Sequence, residues 1–442
     1  MCSTKKKTIM LLSISIKPEY LVIIASSLVI ILSFIFNLIS KKTNIPSVLL
    51  LMLLGVAIQF IFPEAKESPA LSKALIIVGK IGLILIVLEA ALDLKLRKNK
   101  IRLITKSFLM ALLGLVGSAF AIAFILQWFL ETSFYTAFIY AVPLSILSSA
   151  IIIPSVSTLI EEKREFMIYE STFSDILGII LFQFLVSPNE FYSTTDVILT
   201  VSSNIFTTIF IAVIFSYIAV WGIQKLTSHV KLFLIIAVLM LVYAIGSVFH
   251  LSSLIIVLFF GLILNNTNIF FVGPLQEIID KSKIEHIFKE FYVVTLESAF
   301  VLRTFFFVIF GLSISLISLI DYHVALKSIA IVATLYAVRF IFLKILLFNK
   351  NVTSELFIAP RGLITILLFY TIPSRYLLEG FNEGILLYTI LITSLIMSIS
   401  LIVGKNRSIK DVIENFEILN KELPEPSKQV DPNITSHDRP TY

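Results

Sequence analysis

Cysteine is almost missing from this chain: Cys2 is the only one among 442 residues, so no disulfide can form within it and thiol content does not report a redox compartment. Charge is scarce too. Asp, Glu, Lys and Arg make up 14% of the residues against 58% hydrophobic ones, a balance that excludes a soluble globular domain. The sequence has no HExxH pair, no glycine loop ending in GK[ST] and no GxSxG, so no metal, nucleotide or nucleophile motif points to a cofactor or an enzyme. Segments of alternating polarity are lacking as well, which argues against an outer-membrane barrel. The formal net charge of +6 does not require a nucleic-acid partner, because the basic residues sit in short connections between apolar runs.

Those continuous apolar runs are what the sequence does have. Bounded by charge, Pro or Gly, they give about thirteen spans, near residues 20–39, 45–62, 71–94, 106–129, 135–159, 167–186, 200–222, 232–249, 252–266, 291–316, 324–347, 355–373 and 384–404. The expected fold class is an all-α polytopic membrane protein. On alternate connections Lys and Arg gather on one side: Lys41 and Lys42, the run KLRKNKIRLITK, Lys163 and Arg164, Lys225 and Lys231, Lys281, Lys283 and Lys289, Lys350, then Lys405, Arg407 and Lys410. The other side holds Lys5, Lys6, Lys7, Lys17, Lys66, Lys73, Lys327 and Arg375. The positive-inside rule then predicts an inner or plasma membrane protein with its N-terminus outside and its tail in the cytoplasm. Three segments are expected: a polar leader over 1–19, a transmembrane domain over 20–404, and a polar tail over 405–442. The tail holds one amphipathic stretch, IKDVIENFEILNKEL, before a Pro-rich, disordered end.

Two spans carry breaks at matching places. The fifth has Pro143 and Pro154 around Ser145, Ser148 and Ser149, and the twelfth has Pro360, Arg361 and Gly362. If spans 1–6 and 8–13 are repeats, the single helix between them inverts their topology, and both broken helices are fifth members. Discontinuous helices at matching positions of inverted repeats mark a transporter's substrate site.

Carboxylates at depth sharpen that reading. Glu170 and Asp175 lie in the sixth span, IYESTFSDILGIILFQFL, and an ionised side chain there costs about 2.5 to 3.5 kcal/mol unless it faces protein or water. At about 1.5 Å per residue, Glu170 lies roughly 5 Å from the cytoplasmic end of its span, Asp175 and Arg339 roughly 12 Å, and Arg361 roughly 9 Å. Glu170 with Arg339 is therefore the expected ion pair. Asp175 has Ser171 and Ser174 beside it and no cation at helical spacing, so it is free to hold either a proton or a hard cation. Glu89 and Asp93, one turn apart in LEAALDLKLRKNK, read as interfacial partners of Lys95 and Arg97.

At these residues the chain resembles the cation/proton antiporter superfamily, the sodium/hydrogen exchangers. IPSVLLLMLLGVAIQ is similar to the second-helix pattern iPsvl…lllG, and IGLILIVLEAALDLKL to lgLilllFeaGLdldl. YESTFSDILGIILF is similar to ESxxNDpxaivlf, and IAPRGLITIL to gpRGal. The resemblance implies two inverted six-helix repeats with helices 5 and 12 crossed, protons and monovalent cations (sodium or potassium) as the exchanged partners, and a homodimer. It implies that Asp175 exchanges proton for cation by alternating access, that Glu170 and Arg339 form the structural pair, and that Arg361 is the basic residue of the substrate path. The Asn of the ND pair is Ser174 here, and the usual TDP reads Ser148, Ser149, Ala150, so serine hydroxyls and freed carbonyls stand in as cation ligands. A single acid implies one-for-one, electroneutral exchange. Two other readings stay open: a transporter of this fold for an organic anion held by Arg361 and Arg303, and a non-transporting membrane sensor or scaffold with the tail as its output.

Overall fold

A computed structural model describes residues 18–43, 45–61, 69–186, 194–225, 231–248, 253–277, 279–313, 321–348, 350–378 and 381–422. The leader as far as residue 17 and the tail beyond residue 422 lie outside the described residues. Every regular element among the described residues is helical, as a bilayer demands of a chain that must satisfy its own backbone N–H and C=O groups.

In chain order the helices are α1 (Pro18–Thr43), α2 (Ser47–Ile61), α3 (Pro69–Asp93), α4 (Ile101–Leu130), α5 (Phe134–Ser145), α6 (Ser149–Ser155), α7 (Glu161–Val186) and α8 (Thr194–Ile223). There follow α9 (Lys231–Val248), α10 (Ser253–Asn265), α11 (Thr267–Phe270), α12 (Lys281–Ser313), α13 (Tyr322–Leu346), α14 (Thr353–Phe357), α15 (Leu363–Phe369) and α16 (Gly384–Glu422). Ten stretches of the described residues are long and apolar enough to cross a membrane, with α5 and α6 counted as one, and α2 and α10 are shorter apolar helices. The chain is thus an integral membrane protein.

The twelfth span is interrupted where Pro360, Arg361 and Gly362 were expected to break it: α14 and α15 are five and seven residues long, and Ile358–Gly362 between them is non-helical. Two expected boundaries differ from the observed ones. α12 begins ten residues before the expected span, with the charge-rich residues 281–290 forming its first turns. α16 passes through residue 405 without interruption to Glu422, and the amphipathic stretch assigned to the tail is its continuation. No proline falls within it to interrupt the turn, so the polar composition after residue 404 did not mark its end.

Packing sorts the helices into two groups. α4 packs on α5, α7 and α13, and α13 on α16, with α6, α14 and α15 enclosed among them. In the other group α12 packs on α2 and α3, α3 on α10, and α10 on α8 and α9. α3 also touches α7 and α15, so the groups meet along it. Outward faces stay apolar, with Phe124, Trp128, Phe206, Phe233 and Phe340 exposed, because lipid tails are their solvent.

Candidate functional site

The site is built from two broken helices that meet. α5 ends at Ser145, and Ile146–Ser148 is non-helical before α6 restarts at Ser149. Pro143 cannot donate to the turn before it, and the buried carbonyls and amides freed at the break need partners. Side chains and the other break supply them. Ser148 N–H donates to Pro360 O (3.0 Å), the Arg361 Nε–H donates to Leu144 O (2.9 Å), and Arg361 N–H donates to Thr393 Oγ1 (3.1 Å). From α7, Ser174 Oγ accepts Leu147 N–H (3.0 Å) and Asp175 Oδ2 accepts Ser149 N–H (3.2 Å). The charges agree with the half-helix dipoles: a guanidinium at the C-terminal carbonyls of α5 and a carboxylate at the first amide of α6.

Two glycines let the backbones come this close. A Cβ on Gly362 would meet the side chain of Ser148, and one on Gly178 would meet that of Ile146. Gly362→Ala is therefore expected to cost about 1 to 3 kcal/mol by overpacking the crossing. The melting temperature of the purified protein should fall, and Ser148→Gly in the same chain should restore it; no change in melting on Gly362→Ala would count against the crossing.

Asp175 is 2% exposed, and its Oδ1 has no hydrogen-bond partner among the described residues. A buried acid with one oxygen held and one open is poised for a ligand rather than satisfied by the fold. Ser174 is turned to the break, Ser148 lies against Gly362, and Ser149 is the residue shared between Asp175 and a cavity beside the crossing.

That cavity, about 220 Å³, lies between the two helix groups. α1, α2, α3 and α12 line it from one side, and Ser149, Ala150, Ile153 and Pro154 from the other. It adjoins Asn37, Ser47 and Asp93, near helix ends that lead into Lys- and Arg-rich connections, and Tyr292 about three turns into α12. Three charged side chains face it: Glu89, Asp93 and Arg303.

Here the sequence reading of Glu89 and Asp93 is corrected. Glu89 accepts from Arg303 Nη2 at 2.6 Å, and Asp93 accepts from the Tyr292 hydroxyl at 2.7 Å. Lys95 and Arg97 are exposed and lie past the end of α3, so helical spacing no longer carries them beside these acids. Outside the membrane segments, the same connection is fastened to α7. Lys100 Nζ donates to Glu165 (2.6 Å) and Glu161 (3.1 Å), and these carboxylates, Glu165 first, hold its ammonium above the usual lysine range.

Behind the crossing, Arg339 and Glu170 come together. Nη1 and Nη2 donate to Oε1 and Oε2 at 2.6 and 2.9 Å, while Nε donates to Glu355 O at 2.9 Å. Glu170 is fully buried and Arg339 is 5% exposed. Lys163 Nζ grips the Glu355 side chain (2.8 Å) and Asn351 O (2.6 Å), so α14 is held from both ends. Arg361 does not line the large cavity; it shares a small buried space with Glu170, Ser174 and Arg339. The residues that sequence reasoning missed are Arg303 and Tyr292 as partners of Glu89 and Asp93. Depth along each helix could not have found them, because which faces of α12 and α3 meet is decided by how the two helices pack, which hydropathy does not encode.

Comparison with known proteins agrees with this geometry. A family model described as "Sodium/hydrogen exchanger, transmembrane" matches residues 27–404. Among solved structures, the sodium proton antiporter MjNhaP1 from Methanocaldococcus jannaschii at pH 8 is similar, with a TM-score of 0.61 and 20% identity over 87% of this chain and 95% of that one. An electron-microscopy structure of the same antiporter gives a TM-score of 0.63 and 19% identity over 92% and 99% of the two chains. No curated protein sequence shows a significant match.

Proposed function

The chain belongs to the sodium/hydrogen exchanger family, and from that premise we propose that it exchanges protons for a monovalent cation, sodium or potassium, at Asp175. The observation that carries this is the open Oδ1 of a buried carboxylate, placed at the crossing of two broken helices and one residue behind the wall of the cavity between the helix groups. An ionised Asp175 is costly to carry through an apolar barrier. A bound proton or a bound cation neutralises it alike, so the helix group that holds it moves only when loaded, and the two ligands take turns. Ser149 is the nearest source of further oxygens, while Ser148 and Ser174 hold the crossing in register.

The rest of the charge arrangement fits one-for-one exchange. Glu170 and Arg339 cancel each other, and Arg361 is held on the carbonyls of Leu144 and Ala359. Only one acid at the crossing then changes its ligand. An anion transporter is less well served, because Arg303 already faces Glu89 and Arg361 is committed to backbone oxygens. The cavity's lining at Asn37, Ser47 and Asp93, next to Lys- and Arg-rich connections, supports the reading of a conformation open to the cytoplasm, with the N-terminus outside and the tail inside. Inverted six-helix repeats and a homodimer complete the reading.

The test is direct. In everted vesicles holding a pH gradient, added sodium or potassium should dequench a pH-sensitive dye, and clamping the membrane potential with valinomycin at a set potassium ratio should leave the sodium-driven rate unchanged. Absence of a response to every monovalent cation would remove the exchanger reading, and a rate that follows the potential would remove its electroneutral form.

A further inference from the structure

A guanidinium in the vestibule of a cation site is unexpected, since it repels what the site must attract. Arg303 is nonetheless there, facing the cavity beside Glu89 and Asp93. It is held very differently from Arg339. Arg339 donates from all three of its guanidinium nitrogens, to Glu355 O and to both oxygens of Glu170. Arg303 makes one bond, Nη2 to Glu89 Oε2, and its buried Nε has no acceptor among the described residues. Glu89 keeps its other oxygen clear of hydrogen bonds among the described residues, and it borders open volume. Asp93 is tied by Tyr292 instead. A structural arginine buried in a membrane protein would be satisfied as Arg339 is. Arg303 is a singly tethered charge lining the cavity that Ser149, the partner of Asp175, also lines.

We propose that Arg303 is a built-in competitor for the transported cation: it occupies Glu89 while the vestibule is empty, yields that carboxylate as a cation enters, and so sets the cation affinity of the cytoplasmic side. This rests on the exchanger reading. With the pair closed, the vestibule presents one net negative charge, that of Asp93, rather than two. An entering cation must displace the guanidinium or share its field, which keeps the cation weakly held and quick to leave. Arg303 touches no substrate in this scheme; it is a specificity-determining residue that acts through Glu89.

Charge arithmetic fixes the expected order of variants. A unit charge removed at about 8 Å, in a site of effective dielectric about 20 to 40, changes a dissociation constant by about tenfold. Arg303→Gln should lower the sodium or potassium concentration that half-saturates proton flux in everted vesicles by about that factor, with little change in maximal rate. Glu89→Gln, which leaves the guanidinium free in the vestibule, should raise it. The double variant has the net charge of the wild type and should return toward it, and Arg303→Lys, which keeps the charge, should stay near it. The same order is expected for the concentration of NaCl or KCl, against choline chloride, that half-saturates the rise in melting temperature of the purified protein, a readout that needs no transport. An unchanged half-saturation in Arg303→Gln, or a shift in Arg303→Lys as large as in Arg303→Gln, overturns the proposal. Wild-type vesicles without cation-driven flux would instead sink the exchanger reading, and the melting titration would still decide whether Arg303 governs cation binding.

Discussion

Asp175→Asn is expected to reduce cation-driven proton flux to the level of vesicles without the protein, while expression and melting temperature stay close to wild type. The two halves of that outcome have separate physical causes. The amide oxygen of Asn can still accept Ser149 N–H, so the hydrogen bond that closes α7 onto the restart of α6 survives. What is lost is the charge: an amide neither binds a proton at physiological pH nor balances a monovalent cation. Without an ionised state that must be neutralised, no coupling is left between the two ligands. The measurement is the dye assay in everted vesicles with the variant at matched protein density. Persistent cation-driven flux in Asp175→Asn would refute the assignment of exchange to this residue, whatever the family.

Glu170→Ala is expected to do the reverse, damaging the fold before the transport chemistry. It leaves the guanidinium of Arg339 buried without its charge partner, and breaking a buried pair from one side costs about 3 to 5 kcal/mol. For a membrane protein of ordinary stability that is most of the margin, so yield in detergent and the melting temperature should both drop sharply. Replacing both partners, as in Glu170→Met with Arg339→Met, removes the orphaned charge and should recover much of the loss. Recovery should stop short of wild type, because Arg339 Nε also holds Glu355 O and through it the start of α14. A Glu170→Ala protein with wild-type yield and melting would show that the bidentate contact contributes little. The comparison with Asp175→Asn separates the two acids of α7: one is expected to matter for flux and not for folding, the other for folding first.

Family membership, class and the main pair were all written in the sequence, for reasons that can be named. Continuous apolar runs have one stable form in a bilayer, the helix, so composition alone decided that this is a polytopic helical protein. Buried opposite charges at similar depth have strong cause to meet, which made Glu170 and Arg339 legible as a pair from spacing along two helices. Prolines that cannot donate, and a glycine beside an arginine, marked both breaks in advance. In each case the constraint is local: it acts on a residue through its own backbone or its own transfer energy.

What only the tertiary structure decided depends on how the helices cross. Sequence put Glu89 and Asp93 with Lys95 and Arg97, their chain neighbours, whereas α3 ends at Asp93 and those acids face Arg303 and Tyr292 on α12. It left Arg361 in the substrate path, whereas its guanidinium points to the carbonyls at the end of α5. It had the last span stop at residue 404, whereas α16 runs on to Glu422. Apolar helices slide and tilt past one another with little change in how much surface they hide from lipid, so hydropathy fixes that they span and says almost nothing about angle or register. Those are set by the fit of small residues such as Gly178 and Gly362 against their neighbours, and that fit decides which charges share a cavity.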